Sequence, residues 1–170
     1  MIFENIFSIE QILGYVASFI LLIGYAIKSD VKTKTVLIFS SLFFATHFYL
    51  LGAFTAMAIC LVNSMRNVSS IFFYKSKVMF VLFITLYGAG GIFTYHGAHD
   101  LLPLLAAIIT CVGMFFLTGI RFRMLVVIAT LLWVVHNVYA GSIGGTINSI
   151  ILFFISSSVV FKLHKESILK

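Results

Sequence analysis

The residues best suited to chemistry sit where the chain is otherwise most apolar. Asn63, Arg66, Asn67 and Ser70 recur at i, i+3, i+4 and i+7, which puts all four on one face of a helix. An isolated polar group in hydrocarbon is costly, so such a face turns toward another helix or a water-filled cavity. Asn63 precedes Lys75 by twelve residues, roughly 18 Å at 1.5 Å per residue, near the middle of a helix that would cross a bilayer. Arg66 lies roughly 13 Å from the same basic end. Its guanidinium needs a partner, yet all five acidic residues lie at the termini or in connections. Two readings are open. The side chain snorkels to the interface or donates to helix-end carbonyls, or it binds the carboxylate or phosphate of an anionic solute.

His47 and His136 each stand about five residues from the end of an apolar run, far from the basic clusters. They either bridge helices by hydrogen bonds or serve in gating or proton coupling, because imidazole titrates near neutrality. Trp133 and Asn137 sit within a turn of His136 and either line the same pocket or pack. Asn148 and Ser149 are further polar candidates for a solute in the last run. Tyr15, Ser18, Leu22 and Tyr25 share a face, expected to turn inward with the tyrosine hydroxyls paired to neighbouring helices. Gly88, Gly90 and Gly91 are expected to be close helix contacts. Cys60 and Cys111 lie inside apolar runs as small packing residues. The string His96-x-x-His99-Asp100 has some metal-ligand character but reads as a polar turn, so no metal is assigned. There is no Walker loop, no Gly-x-Ser-x-Gly elbow and no His-Glu-x-x-His, so neither an enzyme nor a cofactor is expected.

The elements that position these residues follow from composition. Apolar types make up 62% of the 170 residues and charged types only 9%, where a soluble domain carries about a quarter. A water-soluble fold of this size could not bury so many apolar side chains. The chain is therefore expected to be an all-α integral membrane protein. Seven runs are long enough to cross: approximately 9–27, 35–51, 55–74, 78–95, 101–118, 124–140 and 146–161. They are continuously apolar rather than alternating, which favours helices over a barrel. The net charge of +6 does not form a stripe for nucleic acid. Ten of the eleven basic residues follow the first, third, fifth and seventh runs, and the opposite connections hold none. That asymmetry puts the N-terminus outside and the C-terminus in the cytoplasm.

Adding 89 to a residue number maps the first three runs onto the last three: Gly24 onto Gly113, His47 onto His136, Gly52 onto Gly141, and Lys32 and Lys34 onto Arg121 and Arg123. One unpaired run between them gives two parallel three-helix units, 1–76 and 99–170, joined by a linker helix over 77–98. This plan, with Pro103 opening the fifth run, resembles the SWEET sugar transporters and the wider PQ-loop group. The string from Trp133 to Thr146, WVVHNVYAGSIGGT, and the residues from His47 through Leu51-Gly52 to Asn63 and Arg66 resemble the YgjV-type bacterial inner-membrane proteins. The SWEET resemblance implies that Asn63 contacts the solute at mid-depth; Leu152 stands at the matching position of the second unit. The YgjV resemblance implies an inner-membrane location. The expected function is a carrier of a small polar or anionic solute by alternating access. The alternative is a receptor-like or assembly factor using the same helices to bind lipid or a protein partner. The oligomeric state is left open.

Overall fold

The structure, a computed structural model, describes residues 6–27, 30–73, 76–117 and 119–168. Lys28, Lys75 and Lys170 of the basic clusters lie outside the described residues, as does the side chain of Tyr25. Within them, the chain forms α1 (Ile9–Ala26), α2 (Asp30–Leu50), α3 (Phe54–Phe72), α4 (Lys77–Thr94), a short 3-10 turn (Ala98–Asp100), α5 (Leu101–Phe116), α6 (Gly119–Tyr139) and α7 (Ile143–Ile168).

Each apolar run becomes one helix, and the largest shifts of its bounds fall where charge is tolerated. α2 and α6 begin five residues before the runs that open at Thr35 and Met124. Lys32, Arg121 and Arg123 are exposed in those opening turns, where long stems let the charged heads stay in polar surroundings. α7 continues past Phe161 for the same reason, with Lys162 and Lys165 exposed. Segments Lys77–Thr94, Ile120–Tyr139 and Ile143–Lys162 are long and apolar enough to cross a membrane, and Ile9–Gly24 and Ala98–Gly113 are shorter apolar stretches. α3 misses that standard because Asn63, Arg66 and Asn67 interrupt it.

Turns of one design join α2 to α3 and α6 to α7. Gly52 takes φ 72° and Gly141 φ 69°, a left-handed conformation that glycine adopts without a Cβ clash. Leu51, Gly52 and Ala53 donate to the carbonyls of His47, Tyr49 and Phe48. Ala140, Gly141 and Ser142 donate to those of His136, Val138 and Asn137. Pro103 falls in the first turn of α5, where a missing N–H leaves no helical bond unmade.

Helices α1, α2 and α3 pack in series, as do α5, α6 and α7; α4 lies against α3 and α5. The groups meet chiefly where α1 packs against α7 and α3 against α5. Small residues set the closest approaches. A Cβ on Gly144 would lie 2.7 Å from the carbonyl carbon of Gly14, so α1 and α7 touch backbone to backbone. Gly24 receives Val36 and Leu37, Gly113 receives Phe122 and Leu125, and Gly91 receives Leu104. The expectation for Gly88 is corrected: a Cβ there would meet nothing within 4 Å.

One apolar cluster gathers Ile59, Val62, Phe83, Tyr87, Ala107 and Cys111 from α3, α4 and α5; another gathers Ala45, Phe48, Ala56 and Cys60 from α2 and α3. Trp133 of α6 packs against both. Cys60 and Cys111 are free and buried, as packing residues should be. Large apolar side chains such as Phe19, Val78, Ile92, Phe93 and Phe154 stand exposed on the outside of the bundle, a surface suited to lipid.

Candidate functional site

The polar face of α3 turns inward as its spacing requires. Ser64, Arg66, Asn67 and Ser70 are buried, and Asn63 is half-buried. Ser70 Oγ donates to the Asn67 carbonyl at 2.9 Å, and Lys34 Nζ from α2 donates to the Ser70 carbonyl at 2.9 Å. Tyr87, fully buried on α4, donates its hydroxyl to Asn63 Oδ1 at 2.7 Å. Arg66 does not extend to the bundle surface. Its side chain is nine-tenths buried, within electrostatic reach of Tyr87 and of Cys111 on α5. Among the described residues, Nε and Nη1 have no hydrogen-bond partner.

A second polar group forms on α6 and α7. Asn137 Nδ2 donates to Ser149 Oγ at 3.0 Å, and both residues are buried. Asn148 is buried, and among the described residues the Oδ1 atoms of Asn137 and Asn148 have no partner. Gly145 makes room here, since a Cβ on it would lie 2.5 Å from Ser142 Oγ and 2.8 Å from Asn137 Oδ1. Among the described residues, no hydrogen bond joins this group to Asn63, Arg66 or Asn67. Trp133 spans the gap by packing: its ring stacks on Phe48 at 6.0 Å and stands edge-on to His136 at 5.8 Å.

Both histidines are fully buried and act across helices. His47 Nδ1 donates to the carbonyl of Glu10, and Nε2 pairs with Ser142 Oγ at 2.7 Å. Gly14 leaves the space this ring fills, since a Cβ on it would lie 2.8 Å from His47 Cε1. His136 Nδ1 donates to the carbonyl of His99 at 3.3 Å, but its Nε2 has no partner among the described residues.

Other assignments change. Tyr15 donates to the carbonyl of Ile6 just before its own helix, rather than to a neighbouring helix, and Ser18 Oγ has no partner. Asp100 is a turn organiser: it accepts the His96 N–H at 2.8 Å and lies 3.7 Å from His99 Nε2. Among the described residues, no group of three or more His, Cys, Asp or Glu is placed to hold a metal.

Sequence reasoning missed Gln11. Its Nε2 donates to the Gly141 carbonyl at 2.6 Å and its Oε1 accepts the Ile143 N–H at 3.0 Å, so one amide clamps the turn between α6 and α7. The available signal was a lone amide at the start of an apolar run. Ser142 was missed as well, and it does two things: it meets His47 and accepts the Gly145 N–H at 3.1 Å.

A family described as bacterial inner membrane protein, Imp-YgjV, matches residues 8–167 of the chain. The inner membrane protein YgjV of Escherichia coli K12 is 31% identical over 138 residues, covering 81% of this chain and 75% of that protein. No solved structure matches.

Proposed function

The chain belongs to the Imp-YgjV family of bacterial inner membrane proteins, and on that premise we propose that it is a multi-pass carrier of a small polar or anionic solute. Carriage would proceed by alternating access between two three-helix units, α1–α3 and α5–α7, with α4 linking them in a SWEET-like plan. The supporting observation is a set of buried atoms left unpaired: Arg66 Nε and Nη1, His136 Nε2, Asn137 Oδ1 and Asn148 Oδ1. Leaving a buried polar group unpaired costs about 1–3 kcal/mol, and more for a charged one. A fold that needed these helices only for packing would gain by filling those positions with apolar residues. A solute that bonds to them in transit gives them a use.

The parallel repeat is part of the same proposal. α2 and α6 start 89 residues apart, as do α3 and α7. Gly52 and Gly141 share a positive φ, and His47 and His136 each bond to the carbonyl 37 residues upstream. All seven helices would span, with the N-terminus outside, as the basic clusters require.

Metabolites would be compared between bacterial cells lacking and overproducing the protein, and solutes that change in opposite directions tested for uptake into vesicles containing the purified chain. Saturable uptake that depends on Asn148 and Asn137 supports the carrier. Unchanged metabolite pools together with absent uptake would leave the chain a receptor-like or assembly factor.

A further inference from the structure

We propose that an oxyanion, the carboxylate or phosphate of a small molecule, binds against Arg66 in the seam where α3 meets α4 and α5. The inference deepens the carrier reading and rests on it only for the claim that the bound anion is cargo.

The case rests on which hydrogen-bonding groups remain uncommitted there. Tyr87 spends its proton on Asn63 Oδ1 at 2.7 Å, which leaves the Asn63 Nδ2 hydrogens as the part of that amide still on offer. One turn along, Arg66 keeps Nε and Nη1 without a partner although nine-tenths of the side chain is buried. Guanidinium nitrogens only donate. Cys111 on α5, which meets Arg66 as a hydrogen-bonding neighbour, is only a weak donor and acceptor. Ile59, Val62, Phe83 and Ala107 complete the apolar cluster to which Tyr87 and Cys111 belong. On the cytoplasmic side of the same α3 face stands a second cation, Lys34, bonded to the Ser70 carbonyl. Among the described residues, no carboxylate bonds to Asn63 or Tyr87 or pairs with Arg66.

A site of donors around a buried positive charge selects for a negative group with several lone pairs. Desolvation sharpens the choice, because a buried cation without a counter-charge is unfavourable and a neutral sugar would not relieve it. Planar guanidinium suits a carboxylate or phosphate, which can accept two parallel N–H groups. The anion would come either from a free solute or from a lipid headgroup reaching in from the bilayer.

The test is equilibrium binding to the purified full chain in nanodiscs, read through the fluorescence of Trp133. This is the only tryptophan in the sequence, and it packs against the cluster that contains Tyr87 and Cys111. Acetate and inorganic phosphate are titrated in phosphatidylcholine discs, with glucose as the neutral control. Saturation by either anion and not by glucose is expected. Arg66→Gln should weaken it roughly 10- to 150-fold, the range for losing one charge-assisted bond, and Arg66→Lys should recover only part. Tyr87→Phe, which leaves the charge in place, should weaken binding by roughly threefold to tenfold by freeing an Asn63 lone pair to face the anion. It serves as the second variant if Arg66→Gln fails to fold. If the source is lipid, neither free anion saturates, and phosphatidylglycerol copurifies with the natural chain but not with Arg66→Gln. The site is overturned if no anion saturates and no anionic lipid is retained, or if affinity is equal in the natural, Gln and Lys forms. Binding without uptake into vesicles would remove carriage and keep the site. Uptake of a neutral solute, indifferent to Arg66→Lys, would remove the site and keep the carrier.

Discussion

His47 and His136 hold the same post in two triplets of helices, yet only one has both ring nitrogens occupied. Each directs Nδ1 at a carbonyl 37 residues upstream. Ser142 Oγ meets His47 Nε2, whereas His136 Nε2 has no partner among the described residues; the residue 89 positions before Ser142 is Ala53. Since Nδ1 donates to a carbonyl in both, neutral His47 accepts the Ser142 hydroxyl proton at Nε2, and neutral His136 offers an unused lone pair there.

Ser142→Ala should therefore destabilise the protein by about 1–3 kcal/mol, because it strips a buried imidazole nitrogen of its partner. If the proposed offset of 89 residues sets position 53 against His136, Ala53→Ser should do the opposite and stabilise by about 0.5–1.5 kcal/mol through a new bond to that ring. Unfolding in detergent by denaturant, with both variants side by side, measures this. If Ala53→Ser has no effect while Ser142→Ala is costly, the two histidines are not equivalent.

Gly52 offers a clean test of backbone conformation. A Cβ there would touch nothing within 4 Å, so only the φ of 72° resists substitution. Gly52→Ala should cost about 1–2 kcal/mol, and Gly52→Asn noticeably less, because asparagine tolerates the left-handed region. Thermal unfolding of the two variants checks the order.

Gly144 and Gly88 should behave oppositely. Gly144→Ala drives a methyl into the Gly14 carbonyl and should separate α1 from α7, costing on the order of 3 kcal/mol. Gly88→Ala enters open space within a helix and should be neutral or stabilising by up to about 1 kcal/mol. The monodisperse fraction on size exclusion and the midpoint of thermal unfolding decide between these outcomes.

Reporter fusions test the orientation. Fusions at the C-terminus, and in the connections between α3 and α4 and between α5 and α6, should report cytoplasmic, and fusions at Gly52 and Gly141 should report periplasmic. A periplasmic C-terminus would remove the seven-span topology.

The helices were legible because hydrocarbon imposes its length on each apolar run, and the stop signals, a glycine or a basic cluster, mark the ends. The inward face of α3 was legible from spacing alone, since Asn63, Arg66, Asn67 and Ser70 could share a face only on a helix. What the residues did not reveal was pairing at long range. Tyr87 looks like any interfacial tyrosine until α4 places it against Asn63, and Ser142 is one small residue in a glycine-rich turn. The extra lengths of α2, α6 and α7 were hidden because Lys32, Arg121 and Lys165 read as loop charge, although helices accept such side chains readily at their ends.

The Gln11 clamp has a consequence for how the protein is made. Gln11 leaves the ribosome well before both of its partners, because Gly141 and Ile143 are about 130 residues later. At 5–20 residues per second that interval is roughly ten seconds, during which the amide on α1 is without these partners. His47 waits in the same way for Ser142. The first three helices thus cannot complete their own polar contacts, and the nascent chain would be exposed to quality-control proteolysis until its last hairpin arrives. Ribosome-bound intermediates truncated before residue 140 should accordingly be degraded faster than those that extend beyond it.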